Sequence, residues 1–420
     1  MEEFEAFVGF DWGSEKHQAC LFDGRGHLLG ERQVDHCGAG LGELMEWIIA
    51  RTGARPERIA VAIETSYGPV VEAFLERGFA VFAINPKQLD RFRDRFTVAG
   101  AKDDSRDAHV LGDSLRTDGK AFRRLQADDD VIIELREWTR MAEDLQQDRT
   151  RLTNRMRDQL WRYYPQALKL TDDLGSEWFL RLWQLAPTPS EAKLVRKAAV
   201  ERLFKERRVS RLTAEEALHI LREQPLTVAA GTIEAATAHI RLLITRIALV
   251  NKELKNAHRK LDELTTKFEQ SLEGEPGQTS EQRDVVILRS LPGVGRITLA
   301  TLLVEAREPL RNRDYPTLRA LSGVAPVTRK SGKTCIVHRR HACNKRLQQA
   351  IYHAARVAAQ IDPKSRSRYS ELRKRGHGHA RALRSVGDRM LFVACTLLER
   401  QVPFKAQDLK TSADLENLAC

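Results

Sequence analysis

Short apolar runs alternate with amphipathic stretches over roughly the first 127 residues of the chain. The apolar runs occupy residues 7–10, 19–22, 59–63 and 80–84, and apolar positions with helical spacing cover residues 41–49. Near-continuous Val, Ile, Ala and Phe runs with helices between them are typical of a sheet that is buried on both faces. The pattern therefore predicts an α/β domain at the start of the chain, with its first two runs paired as a hairpin.

From Val131 the apolar positions recur at three- and four-residue steps, which is the period of a helix. One stripe extends from Leu135 to Met156, and a longer stripe extends from Ile233 to Phe268. Steps that alternate between three and four over many turns are typical of a coiled-coil seam. The two stripes can pair within one chain as an antiparallel hairpin or between chains as an oligomerisation arm. A plain helical spacer is the simpler alternative.

A boundary is predicted at the Gly- and Pro-containing stretch 273–278. After it, the sequence LPGVG at 291–295 separates two apolar helical runs, which is typical of a helix-hairpin-helix element. Backbone amides in such a turn can bind a DNA phosphate, and an ordinary helix–turn–helix of the core is the alternative. We therefore divide the chain into an α/β domain, a helical coiled-coil region, a mainly helical C-terminal domain and a polar tail, at 1–127, 128–275, 276–400 and 401–420.

The amino-acid composition limits the classes of function that the protein can have. The chain carries 69 Lys and Arg against 58 Asp and Glu, a formal net charge of +11. A basic surface that coexists with acidic clusters favours an enzyme of nucleic acids over a simple basic binding protein. The six cysteines are scattered, which argues against a disulfide framework. Because no stretch resembles a signal peptide or a membrane span, we expect a soluble, cytoplasmic protein with no membrane partner.

Four carboxylates are the strongest candidates for chemistry: Asp11, Glu64, Asp104 and Asp107. Asp11 and Glu64 follow apolar strands, so they can converge at the sheet edge where α/β folds bind ligands. Asp104 and Asp107 are three residues apart on a predicted helix and share its face. Carboxylate oxygens favour Mg²⁺ or Mn²⁺, which complete their coordination with substrate phosphate oxygens. The set therefore predicts a metal site for phosphodiester chemistry.

The sequence around the third carboxylate offers two candidates for that position and places two cationic residues beside it. By spacing alone, Asp103 can replace Asp104. Lys102 and Arg106 flank the pair and are candidate contacts to nucleic-acid phosphates.

A second candidate lies in the segment that ends at Ser331 and Gly332. Arg329, Lys330 and Lys333 surround this serine and are candidate nucleic-acid contacts. Nearby cations favour a serine alkoxide and neutralise the charge that develops at phosphorus during its attack. By composition alone, Ser322 is an equal candidate, and an ordinary Ser-Gly turn is the simplest interpretation.

Together these residues resemble the insertion sequence 110 family of bacterial transposases, whose members act as RNA-guided DNA recombinases. The resemblance covers nearly the whole chain. In the first domain it lies in GFDWGSEKH around Asp11, AIETSYG around Glu64 and KDDSRDA around the last two acids. The family pattern Lys-x-Asp-x-x-Asp-Ala, completed by Ala108, selects Asp104 over Asp103. In the C-terminal domain it lies in LPGVGRITLATLL, SGVAPVTRKSGK and RRHACNKRLQQAIYHAARVA, where many members have Gly-Asn in place of Cys343-Asn344.

The resemblance implies a RuvC-like, ribonuclease-H-type first domain whose acids bind Mg²⁺ near the scissile phosphate. It also implies that Ser331, from another subunit, attacks this phosphate and forms a covalent phosphoserine link to DNA. A structured bridge RNA would select donor and target double-stranded DNA by base pairing. The protein is then expected to work as a homo-oligomer, a dimer or a tetramer.

Two alternatives from other classes remain at this stage. The first is a Holliday-junction-type endonuclease that uses the acids to activate water, with Ser331 in a structural role. The second is a nucleic-acid-binding scaffold without catalysis, in which the acids are degenerate.

Overall fold

The computed structural model describes residues 3–84, 86–96, 104–126, 129–270, 280–331 and 334–405. Lys102, Asp103, Lys333 and the boundary stretch 273–278 lie outside these residues. The chain forms two compact units, Met1–Asp129 and Asp130–Cys420. Within the described residues, no helix is both long enough and apolar enough to cross a membrane.

The first unit contains a mixed six-stranded sheet. Its strands are β1 Ala6–Trp12, β2 Lys16–Asp23, β3 Leu28–Asp35, β4 Ile59–Ile63, β5 Ala80–Ala83 and β6 Arg123–Arg124. They are arranged in the order β3-β2-β1-β4-β5-β6. The strands β1, β4 and β5 run parallel, whereas β2, β3 and β6 join by antiparallel pairing. The predicted hairpin of the first two apolar runs is therefore present as β1 and β2.

Four helices cover the two faces of this sheet: α1 Gly38–Thr52, α2 Pro69–Glu76, α3 Pro86–Phe96 and α4 Asp104–Asp118. One face forms an apolar core with α1 and α2, and the opposite face forms a second core with α4. All five residues of β4 and all four of β5 are buried. The prediction of an α/β domain with a sheet buried on both faces is confirmed.

The second unit is organised by two long helices, α5 Asp130–Tyr163 and α10 Ala230–Gln270, which pair antiparallel within the chain. The start of α5 shares a core with the end of α10, and the end of α5 shares another with the start of α10. Arg149, which interrupts the apolar stripe of α5, donates from Nε to Asn251 Oδ1 at 2.8 Å across the pair. Of the two pairings that the stripes allow, the structure has the intramolecular hairpin.

Four short helices join the two long ones: α6 Glu177–Leu185, α7 Pro189–Leu194, α8 Lys197–Glu206 and α9 Ala214–Leu221. They pack in one apolar core with the second half of α5 and the first half of α10. Tyr163 and Tyr164 are fully buried there and donate hydrogen bonds to the carbonyl oxygens of Pro187 and Leu221. These bonds satisfy the buried hydroxyls and fix the short helices against the hairpin.

The C-terminal part consists of a layer of helices and a small hairpin: α11 Ser280–Ser290, α12 Arg296–Glu305, α13 Arg307–Arg311, α14 Tyr315–Leu321, β7 Val327–Ser331, β8 Thr334–His338, α15 Lys345–Ile361, α16 Pro363–Lys374 and α17 His379–Arg400. Its core includes apolar residues of both α5 and α10. The regions that we separate at residue 275 from the sequence therefore belong to one compact unit.

The Gly-x-Gly turn lies between α11 and α12. Gly293 has φ +82°, and a Cβ at this position would lie 2.2 Å from the carbonyl oxygen of Ala354 on α15. Only glycine fits such a close approach with a left-handed backbone. Gly295 is exposed and caps the start of α12. Gly293 is thus required by close packing against α15, whereas Gly295 lies at an accessible helix N-terminus.

Candidate active site

Asp11 and Glu64 project to the same face of the sheet. The parallel strands β1 and β4 pair Phe10 with Ile63, so the next residue on each side carries a carboxylate. Phe7 belongs to the core that contains α4, and Phe10 belongs to the opposite core. Because strand side chains alternate, Asp11 shares the α4 face. Glu64, one residue past β4, continues the same alternation and is half-buried like Asp11.

Helix α4 lies directly on the backbone of β1, which brings Asp107 to this face. A Cβ on Gly9 would lie 1.7 Å from the carbonyl oxygen of Ala108 and 2.4 Å from the amide nitrogen of Gly112. The close approach therefore requires glycine in the strand. Asp107 precedes Ala108 and is only 3% exposed. The structure brings Asp11, Glu64 and Asp107 to one face near the sheet edge.

Arg93, on α3, holds the buried carboxylate of Asp107. Its guanidinium donates from Nε to Oδ1 and from Nη2 to Oδ2 of Asp107, both at 2.7 Å. Nη1 donates to Asp90 at 2.6 Å. Burial opposes the charge of Arg93, but hydrogen bonding to Asp107 and the charges of Asp107, Asp90 and Glu64 leave its pKa above the ordinary value. A bidentate ion pair of this kind is the strongest geometry for a carboxylate.

The first turn of α4 is fixed by side chains of the neighbouring strands. The hydroxyl of Ser105 donates to Glu31 at 2.7 Å, and the thiol of Cys20 donates to the Ser105 carbonyl oxygen at 3.5 Å. Burial, with the nearby charge of Glu31, raises the pKa of the Cys20 thiol to about 12, so it remains a neutral donor. Asp104, the first residue of the helix, is exposed, and so is Arg106.

The carboxylates match a divalent metal in chemistry, and one of them already binds a cation. Oxygen-only ligands are those that Mg²⁺ and Mn²⁺ prefer. Among the described residues, no three His, Cys, Asp or Glu side chains form a group that could hold a metal ion. The guanidinium of Arg93 engages both oxygens of Asp107. A metal bound by Asp107 would therefore either share the carboxylate with Arg93 or displace it, and the positive guanidinium opposes its binding in both cases.

Ser331 lies at the end of an exposed two-stranded hairpin in the second unit. It pairs with Thr334, and every residue from Thr328 to Ser331 is exposed. Strand alternation puts Arg329 on the same side of the hairpin as Ser331 and Lys330 on the opposite side. Within the described residues, the Ser331 hydroxyl has no hydrogen-bond partner. The serine and one cation thus share an accessible surface.

The competing serine has a structural environment. Ser322 is fully buried, and its hydroxyl donates to the carbonyl oxygen of Arg319 at 3.3 Å. Ser322 lines a cavity, but the residue has no exposed surface and its hydroxyl is engaged by the backbone. Of the two serines, Ser331 is the one whose side chain is exposed to solvent.

The loop after the hairpin ends at Asn344, which begins α15. Its side-chain oxygen accepts from the backbone amide of Leu347 at 3.0 Å, and its Nδ2 donates to Glu305 at 2.6 Å. These two bonds cap the helix and join it to α12. Cys343 packs beside Gly323, where an added Cβ would lie 2.7 Å from Sγ. The Cys-Asn sequence therefore keeps the helix cap at Asn344.

Sequence reasoning missed Arg93, Glu31 and Cys20. None of them lies in a motif, and each contacts the acidic helix only through the tertiary fold. In the sequence, Arg93 is only a cationic residue 14 positions before an acidic one. Such pairs are too common to identify Arg93 as a partner of Asp107.

Two family models match the chain. A model of the DEDD transposases of IS110 elements covers residues 8–165. A model described as transposase IS116/IS110/IS902 family covers residues 285–370. The first includes all four carboxylates, and the second includes Ser331.

Relatives in bacteria extend the similarity along the chain. The chain is 55% identical over 214 residues to y4uE of Sinorhizobium fredii, which is named as a transposase; this match covers 51% of the chain and 60% of y4uE. It is 30% identical over 397 residues to the protein named as the mini-circle transposase for IS117 of Streptomyces coelicolor, covering 93% of each. It is 25% identical over 414 residues to the 43.6 kDa protein of insertion element IS110 of Streptomyces coelicolor, covering 94% of the chain and 95% of that protein. The chain therefore belongs to the IS110 family of transposases, a family of enzymes that act on DNA.

Proposed function

We propose that the protein cleaves and exchanges DNA strands through a covalent link between Ser331 and DNA, with divalent metal bound by the first-domain acids. The observation that carries this proposal is the presence of Asp11, Glu64 and Asp107 on one sheet face beside an accessible edge. A second support is the exposure of Ser331 next to a cation. The two groups lie in different units of the chain.

The first unit is proposed to be a RuvC-like, ribonuclease-H-type domain. Its sheet combines an antiparallel β3-β2-β1 half with the parallel strands β4 and β5, and its acids lie on β1, after β4 and on α4. Asp11, Glu64 and Asp107, completed by Asp104, would hold Mg²⁺ or Mn²⁺. When bound, such a metal supplies charge stabilisation for the phosphate oxygens of the substrate. Lys102 and Arg106 are proposed to contact the same DNA strand.

In the proposed step, Ser331 Oγ attacks the scissile phosphorus as its proton leaves. One P–O bond to deoxyribose breaks, and the departing sugar oxygen takes a proton to become a hydroxyl. Arg329, on the same hairpin face as Ser331, would neutralise the charge that develops on the phosphate. Attack by a hydroxyl of a second DNA on the phosphoserine reverses these bond changes and joins the new strands. No water is consumed, so the bond energy is conserved.

We propose that Ser331 and the acids meet between subunits of a homo-oligomer, a dimer or a tetramer. The hairpin of Ser331 is exposed along its length, which suits insertion into another protomer. The α5–α10 pair exposes Leu242 and Leu249, which are 61% and 60% exposed and seven residues apart on α10. Seven-residue spacing of leucines is the pattern of a coiled-coil contact. These leucines are proposed to contact a second copy of the chain.

A structured bridge RNA is proposed as the source of sequence specificity. The dispersed Lys and Arg residues suit contacts with backbone phosphates, which carry no sequence information themselves. Base pairing between this RNA and the donor and target DNA would then select the sites. The helix-hairpin-helix turn, with Gly295 exposed, is proposed as one backbone contact.

The serine step is tested on denaturing gels with labelled DNA, in the presence of bridge RNA and Mg²⁺. The unmodified protein is expected to give a protein–DNA species that resists denaturation, with phosphate on Ser331 by mass spectrometry. Ser331→Ala is expected to lose this species completely. Thr334→Ala, at the paired position of the same hairpin, is the matched control and should retain it.

The endonuclease alternative makes the opposite prediction. If Ser331→Ala still cleaves DNA and no covalent species forms with the unmodified protein, the serine is structural and water is the nucleophile.

A further inference from the structure

Two adjoining cavities, of about 500 and about 350 Å³, lie in the second unit at the base of the β7–β8 hairpin. They share Gly323, Val324, Arg339 and Arg384 in their walls. The smaller one is also lined by Arg340, Arg381 and His377. We refer to the surface formed by Arg339, Arg340, Arg381 and Arg384 as the arginine cavity.

The charge of the arginine cavity is not balanced within the described residues. No acidic side chain forms an ion pair with any of its four arginines there, and Arg339 donates only to the amide oxygen of Gln348 at 3.0 Å. Asp388 lines the smaller cavity, but Arg319 donates to both of its oxygens, at 3.0 and 2.6 Å. Tyr315 donates to it as well. This carboxylate is therefore already neutralised by other groups.

Helix α17 adds positive potential to the same place. It runs for 22 residues from His379, and its first turn contains no acidic residue. Arg381 and Arg384 are three residues apart near this end, so they lie on one side of the helix. The N-terminus of a helix favours negative charge and disfavours cations. Burial, then the charges of Arg339 and Arg381, lower the pKa of Arg384. Arg339 and Arg381 are exposed, whereas Arg340 and Arg384 are half-buried, and together these charges favour a bound anion.

Two residues that line the smaller cavity each have a buried nitrogen atom without a partner. Arg340 Nε and His377 Nδ1 are both inaccessible to solvent and form no hydrogen bond within the described structure. Buried polar atoms are normally satisfied, and a bound ligand is one explanation for each such exception. A phosphate oxygen accepts from guanidinium nitrogens in a bidentate geometry and can accept from a histidine ring nitrogen.

We propose that the arginine cavity binds a backbone phosphate of a nucleic acid. This inference rests on the proposed function, because it assumes that the protein holds DNA or RNA, and it adds a contact outside the predicted ones. Ser331 lies four residues along β7 from Val327, which pairs with His338 beside the cavity, a distance of about 13 Å at 3.3 Å per residue. The phosphate bound here is therefore not the one that Ser331 attacks.

The test compares Arg381→Gln/Arg384→Gln with the unmodified protein by fluorescence anisotropy, on duplex DNA and on a structured RNA, over a series of salt concentrations. The cavity variant is expected to bind at least one of them about tenfold more weakly, with a salt slope smaller by about one for each arginine that no longer neutralises a phosphate. The matched control is Arg155→Gln/Arg246→Gln, which removes two exposed arginines from α5 and α10. The affinity of this control variant for nucleic acid should fall by about twofold at most, since it loses the same charge but keeps the arginine cavity intact.

A thermal unfolding measurement separates binding from folding. Removing like charges that repel one another should leave the midpoint of the cavity variant unchanged or higher. Loss of affinity for DNA alone, or for RNA alone, identifies the source of the phosphate. Equal affinities and salt slopes for the two double variants would overturn the inference while leaving the proposed function intact. If the unmodified protein binds neither nucleic acid, both fail.

Discussion

Asp107 is the most constrained of the four carboxylates. It is buried against β1, and both of its oxygens accept from Arg93. Asp104, one helical turn earlier, is exposed. At the scale of single residues, the proposed metal site is therefore coupled to one ion pair, because Arg93 and a divalent cation would both interact with the same carboxylate.

Replacing Arg93 tests this competition. Arg93→Gln leaves a buried carboxylate without its cation, so the free energy of unfolding in EDTA should fall by about 3 kcal/mol. Mg²⁺ or Mn²⁺ should then stabilise the variant more than the unmodified protein, since the positive guanidinium no longer opposes metal binding at Asp107. Differential scanning calorimetry with and without metal measures both effects.

Arg91→Gln is the control for this experiment, because Arg91 is exposed on the same helix. It should change neither the stability nor the response to metal. A metal-induced rise in the unfolding midpoint that is equal for Arg93→Gln and the unmodified protein would contradict competition at Asp107.

At the scale of elements, the β7–β8 hairpin places Arg329 and Lys330 on opposite sides, although the sequence gives no reason to distinguish them. Arg329 shares a side with Ser331, whereas Lys330 points to the other side. Arg329→Gln should lower the rate of covalent product formation by about 100-fold, as expected when one donor to a transition-state oxyanion is lost. Lys330→Gln removes the same charge and should cost less than about fivefold. Single-turnover kinetics on labelled DNA measure the rate for each variant. Equal losses of rate would mean that the side of the strand on which a cation lies does not matter for the reaction.

The exposed leucines of α10 give a second prediction for an element. Leu242→Glu/Leu249→Glu should weaken self-association by at least about tenfold, because burying one leucine contributes roughly 1.5–3 kcal/mol. Analytical ultracentrifugation measures the association constant. Leu226→Glu, at an exposed leucine outside α10, should leave it unchanged. If both variants associate like the unmodified protein, the contact between copies lies elsewhere.

The elements differ in how far the sequence predicts them. The buried strands β4 and β5 are predicted because both of their faces need apolar side chains. The strand β3 is missed, since it is a largely accessible edge strand in which polar side chains occupy half of the positions, without an apolar run. The long helices are predicted from their periodicity, but their partner is not, because the same seam fits an intramolecular or an intermolecular pair. Arg93 is missed because its contact with Asp107 exists only once α3 and α4 have packed.

At the scale of the whole molecule, the acids and Ser331 belong to two different compact units. Membership of the IS110 transposase family accounts for both parts in one chain. In the proposed mechanism, neither part is a complete active site, and each protomer supplies one half to another. Such a division requires an assembly, and it predicts that two different inactive chains can complement each other.

The most direct test mixes Asp107→Asn and Ser331→Ala chains, co-expressed in equal amounts, and measures the covalent protein–DNA species. Each variant alone should form none. In a mixture of dimers, about a quarter of the composite sites should combine intact acids with an intact serine, so activity should return to about a quarter of the normal level. A mixture that stays inactive despite forming mixed dimers, or a Ser331→Ala protein that forms the covalent species alone, would contradict the account.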